Sequence, residues 1–124
     1  MINAPRLSFG ATLSAWLPVI LWAAVIWHFS SIPNLRILDN WWDFPLRKLA
    51  HMSVFAVLAR LLARALIEQT YWSWKKIFAW SLALTVFYAC GDEIHQGFVA
   101  HRHASFVDVL IDATGAWLAL GLRP

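Results

Sequence analysis

The chain has 124 residues, 60% of them hydrophobic and only 14% charged, against roughly 45–50% and about 25% in soluble domains. A soluble fold this small has too little interior to hide so much apolar surface, so the composition points to an integral membrane protein. The net charge of +3 does not read as a nucleic-acid surface, because the basic residues sit at the ends of apolar runs and not along one polar face.

In chain order, a short tail from Met1 to Gly10 carries Arg6 as its only basic side chain. Residues 11–29, ATLSAWLPVILWAAVIWHF, contain no formal charge and approach the roughly 20 apolar residues that cross a bilayer core. They predict a first span, uncleaved, because the run is long for a signal peptide and no A-x-A site follows. Pro18 lies inside it, as membrane helices tolerate. Residues 30–45, SSIPNLRILDNWWDFP, read as an interfacial loop with scope for a short surface helix, and Asp43 with Pro45 suits a helix start, Asp43 as cap.

Residues 46–66 predict a second span, with Arg47, Lys48 and His51 near one end and Arg60 and Arg64 near the other, where long basic side chains reach the interface. A Trp- and Lys-rich turn follows. Residues 77–95 and 105–122 predict spans three and four, separated by a loop over 97–104. The expected architecture is all-α, a single membrane domain formed by a four-helix bundle. The nine tryptophans suit the membrane–water interface. The single cysteine, Cys90, excludes an internal disulfide and reads as a packing residue.

Four spans put both termini on one side. That side would carry Arg6, Arg60, Arg64, Lys75, Lys76 and Arg123, and the other Arg36, Arg47, Lys48 and Arg102. The bias of basic residues toward the cytoplasm then places both termini inside. The 30–45 and 97–104 loops face outward.

The residues that carry chemistry collect at that outer end. Lys48, His51 and Phe55 share one face of span two by their i, i+3, i+7 spacing. On span three, Asp92 lines up with His95 and Gln96, and Glu93 with Gln96. Asp108, Asp112 and Gly115 share a face of span four, and Arg102 lies in the loop between. Acidic groups exposed to lipid are costly, so these faces are expected to turn toward each other as a polar pocket at the outer-leaflet end of helices two to four. One buried pair would suffice to pin a bundle; so many polar groups at one depth suggest a site. Each group also has a purely structural use: Asp108 and Asp112 as packing partners, His95 as an interfacial histidine, Arg47 as a topology anchor.

At these residues the sequence resembles the VanZ-like family. The resemblance rests on Arg47-Lys48-Leu49-Ala50-His51 with Phe55, on Tyr88 with Asp92-Glu93-Ile94-His95-Gln96 and Phe98, and on Arg102, Ser105, Asp108, Asp112 and Gly115. It covers roughly residues 43 to 120. The family loop commonly reads Pro-Gly-Arg where this chain has Ala100-His101-Arg102, and this chain adds Arg60 and Arg64 deeper in span two. The resemblance implies a small polytopic protein of the bacterial inner membrane, and the namesake is associated with glycopeptide resistance, notably to teicoplanin. It implies no reaction.

Three functions fit these residues. The first is binding of an envelope lipid head group or a lipid-like glycopeptide, with Lys48 and Arg102 taking an anionic group and His51 with the acids taking donors. The second is a membrane hydrolase or transferase acting on a lipid-linked substrate, with His51 or Glu93 as general base. In that reading Asp92, Glu93, His95 and Asp108 could bind a divalent metal through oxygen and imidazole ligands; their spacing matches no metal motif, and the sequence leaves the cofactor open. The third is a structural or assembly role. The sequence predicts contact with membrane lipids, no nucleic-acid partner, and says nothing of oligomeric state.

Overall fold

A computed structural model describes residues 7–32, 38–100 and 104–122. Four α-helices make up the fold, α1 over Phe9–Ser30, α2 over Asp43–Gln69, α3 over Trp74–Gly97 and α4 over Phe106–Gly121, and no strand occurs among the described residues. The first three are long and apolar enough to cross a membrane. They run two or three residues past most predicted span ends, because their polar termini continue into capped turns. Ser8 accepts from the Ala11 N–H at 3.1 Å to start α1, and Ser73 accepts from the Lys76 N–H at 3.4 Å to start α3.

α4 is the shorter element. Ser105 before it is extended and Leu122 after it is non-helical, leaving 16 helical residues. Their rise is about 24 Å at 1.5 Å per residue, less than the roughly 30 Å of a hydrocarbon core. α4 therefore falls short of the predicted 105–122 span, and three helices meet the length requirement.

The start of α2 also differs from expectation. Trp42, not Asp43, occupies the cap position and supplies no side-chain cap bond. Asp43 is the first helical residue. It accepts from the Leu38 N–H at 3.0 Å and from Arg47 Nε at 2.7 Å, so it ties the preceding loop to the helix. Of the predicted interfacial segment, residues 38–42 form bends and turns and no helix, with Trp41 and Trp42 stacked at 4.1 Å.

α2 and α3 each pack on all three other helices, while α1 and α4 do not meet. α2 and α4 run parallel: Lys48 pairs with Asp108, His51 with Asp112, and Arg60 reaches the α4 carbonyls of Ala119 and Leu122. Gly115 is the reason these helices approach so closely, since a Cβ there would lie 2.5 Å from Met52 Cγ and from Met52 O. Ala59, Ala63 and Ala116 continue that seam, within a buried cluster completed by Leu66, Leu120 and Ile77 of α3. Small residues let membrane helices gain dispersion contacts across closely spaced backbones.

A second cluster joins Ile26, Phe55, Leu58, Leu62, Ala89 and Val109. It lies nearer the end where α1 and α3 finish and α2 and α4 begin. α1 buries only Ala15, Ile26 and Ser30 and leaves Leu13, Leu17, Ile20 and Leu21 outward, where lipid replaces water as their solvent. It is tied on by Trp22 Nε1, which donates to Val54 O at 2.8 Å, and by the Tyr88 hydroxyl donating to Ala23 O. The helix passes unbroken through Pro18.

Candidate functional site

His51 is the hub of the polar end. It faces inward from α2 because Phe55, one turn on and fully buried, sets that stripe toward the bundle axis. Its Nδ1 lies 2.7 Å from Asp112 Oδ1 on α4. Its Nε2 lies 3.5 Å from Asp92 Oδ2 and 3.4 Å from Gln96 Nε2, both on α3. Gln96 Nε2 donates in turn to Asp92 Oδ2 and to Ser30 Oγ of α1, both at 3.2 Å. One histidine thus links α2 to two carboxylates and, through an amide, to α1.

One turn outward along α2 and α4, Lys48 pairs with Asp108, and the Lys48 ammonium also stands 5.2 Å from the centre of the Phe44 ring. Glu93 on α3 accepts from the Ser105 N–H at 3.3 Å, which pins the start of α4 to the end of α3. The Glu93 and Asp108 carboxyl groups are close enough to interact. The side chains grade in exposure from Lys48 at 31% and His51 at 26% to Asp92 and Asp112 at 0%. The cluster therefore has an open rim and a closed floor.

The floor is not fully satisfied. Asp92 Oδ1, Glu93 Oε1 and Asp112 Oδ2 are buried and have no hydrogen-bond partner among the described residues. Buried polar atoms are normally paired, and an unpaired one costs about 1–3 kcal/mol or more when charged. Three of them in one cluster form an acceptor-rich interior that a donor-bearing group can stabilise.

Of the residues selected from sequence, Lys48, His51, Asp92, Glu93, Gln96, Ser105, Asp108 and Asp112 come together at this end of the bundle. His95 does not join them. Its ring stacks on Trp27 of α1 at 4.0 Å, and its Nε2 is 2.7 Å from Ser31 Oγ, so it fastens α3 to α1. Among the described residues no group of three or more His, Cys, Asp or Glu side chains is arranged to hold a metal ion. Arg102, with His101 and His103, lies outside the described residues.

The site also contains α1 residues that sequence reasoning passed over. Ser30 and Ser31 look like the start of a loop, and Trp27 like an interface anchor. Nothing in a uniformly apolar helix says which side meets α3. A signal was nonetheless present, since Ser30 and Ser31 end span one at the membrane level where span three carries its polar residues. Arg60, read as reaching toward the interface, donates to Ala119 O near the end of α4 at 3.1 Å and to Leu122 O just past it. Ala119 O also accepts from the Leu122 N–H at 3.2 Å, so Arg60 adds a second donor to the helix end.

Three membrane-crossing helices, a fourth short one and a buried His–carboxylate network define a polytopic helical membrane protein with a polar cluster at one end. The chain belongs to the VanZ/LLP1 family, whose family model matches residues 9–123. That match takes in α1 as well as the region from 43 to 120 where the motif residues lie. Among curated proteins and among solved structures, none matches the chain.

Proposed function

We propose that this protein binds the polar head of an amphiphile of the bacterial envelope, a lipid or a lipid-like glycopeptide, at the outer-leaflet end of its bundle. The observation that carries this reading is the acceptor-rich floor under a half-exposed rim: three buried carboxylate oxygens without donors among the described residues below Lys48 and His51. A network built only to lock the helices together would gain by satisfying those oxygens internally. A site at the polar end of a bundle with lipid-facing sides suits a ligand with one polar and one apolar part. In this reading both termini are cytoplasmic, the chain sits in the inner membrane, and Lys48 with Arg102 takes the anionic part of the head.

The test is co-purification. The wild-type protein and a Lys48→Ala, Arg102→Ala variant are purified in a mild maltoside, bound lipid is extracted and identified, and thermal unfolding confirms that both fold. The wild type should retain a defined species that the variant loses. Identical lipid content in two folded proteins would overturn the reading and favour a structural role.

A second reading rests on the His51–Asp112 pair. A carboxylate on Nδ1 fixes the imidazole and stabilises its protonated form, leaving Nε2 as a general base. With that arrangement the protein would be a hydrolase or transferase, His51 taking a proton from water or from a substrate hydroxyl. Turnover of a lipid-linked substrate that is abolished by His51→Gln would establish it.

A further inference from the structure

We propose that the head group carries a primary ammonium, taken up by the carboxylates of Asp92, Glu93 and Asp112 beneath His51. This inference rests on the amphiphile-binding reading and narrows the ligand's chemistry. Its first ground is charge. Among the described residues the cluster gathers four carboxyl groups, Asp92, Glu93, Asp108 and Asp112, around one lysine and one histidine. Lys48 is already engaged with Asp108, and His51 is shared between Asp112 and Asp92. Glu93 accepts from the Ser105 N–H and adjoins Asp108. A head without a cationic group would leave the inner carboxyl groups without a counter-charge, whatever anionic part it presents to Lys48 at the rim.

The second ground is hydrogen bonding. The three orphaned oxygens of Asp92, Glu93 and Asp112 sit on side chains that are at least 95% buried. They belong to carboxyl groups that touch His51 or adjoin Asp108. In the ionised form they accept hydrogen bonds and donate none. A primary ammonium has three N–H donors and no acceptor, so it matches the deficit in sign. A sugar hydroxyl brings acceptors with each donor and no charge. A quaternary ammonium brings the charge without a single N–H.

The test uses lipids that differ only at nitrogen. Purified protein in maltoside is offered phosphatidylethanolamine, its N-monomethyl and N,N-dimethyl derivatives, and phosphatidylcholine, all with the same acyl chains, and retention is read by native mass spectrometry. Phosphatidylglycerol is a parallel arm. Retention should fall stepwise as N–H groups are replaced. The ethanolamine lipid should be held at least about tenfold more than the choline lipid, the worth of one charge-assisted hydrogen bond. Asp92→Asn and Asp112→Asn, which keep the side-chain shape, should bring the two lipids toward parity. The wild-type series decides the matter even if a variant fails to fold.

Equal retention across the methyl series overturns the ammonium assignment; the carboxyl groups are then satisfied within the chain. Retention led by phosphatidylglycerol also overturns it while leaving amphiphile binding intact. Retention of none of these lipids, together with loss of the co-purifying species, overturns both.

Discussion

Gly115→Ala probes the closest approach in the bundle. The added Cβ would lie 2.5 Å from Met52 Cγ and 2.5 Å from Met52 O, about 0.9 Å short of the 3.4 Å at which ordinary contact begins. The Met52 side chain can rotate away, but the backbone oxygen belongs to α2 and cannot. α4 must therefore retreat by most of that distance. The His51–Asp112 bond crosses the same seam at 2.7 Å, so a shift of that size would carry it beyond hydrogen-bonding range. Overpacking costs about 1–3 kcal/mol, and removing a helical glycine returns roughly 0.5–1 kcal/mol, so a net loss of about 0.5–2 kcal/mol is expected. Gly91 is the control, since a Cβ at that position meets nothing within 4 Å. Gly91→Ala should be neutral or slightly stabilising. Thermal or detergent-titrated unfolding of the purified variants measures both. If Gly115→Ala is as stable as Gly91→Ala, the close α2–α4 contact is refuted, and with it the account of how His51 reaches Asp112.

Three further outcomes are expected. A double-mutant cycle on His51 and Asp112, read by unfolding, should give a coupling of about 1–3 kcal/mol, whereas the exposed Arg64–Glu68 pair at 3.1 Å should give less than about 1 kcal/mol; equal couplings would contradict the burial of the first pair. Cysteines at positions 51 and 92 in a Cys90→Ala background should cross-link efficiently, while cysteines at 95 and 108 should not, because His95 turns toward α1; the reverse pattern would reassign the faces of α3. Reporter fusions after Arg36 and after His101 should both report the outer side, and a cytoplasmic signal at both would move the site to the inner leaflet.

Hydropathy and spacing alone made much of this protein legible. The near-absence of charge in residues 11–29 and the long apolar runs of α2 and α3 identify membrane helices, since no other solvent suits such surfaces. The spacing of Lys48, His51 and Phe55, and of Asp108, Asp112 and Gly115, groups each set on one face, because a turn of 3.6 residues leaves no other arrangement. Periodicity says which residues share a face but not which neighbour that face meets. His95 and Gln96 show the difference. Both lie near Asp92 by spacing, at i+3 and i+4, yet successive residues differ by about 100° around the helix, so only one can point where Asp92 points. Gln96 does, and His95 stacks on Trp27.

The partners were decided only by assembly. Ser30 entered the site because α1 ends beside α3, Asp43 closed a loop instead of capping a helix, and Arg60 found the end of a helix that stops short of a full span. Each of these contacts joins residues from separate segments of the chain or depends on where a helix ends, and a linear pattern of apolar and polar residues encodes neither. The length of α4 and the 2.5 Å approach at Gly115 are of the same kind: they fix how α4 seats on α2, and so whether Asp112 can reach His51.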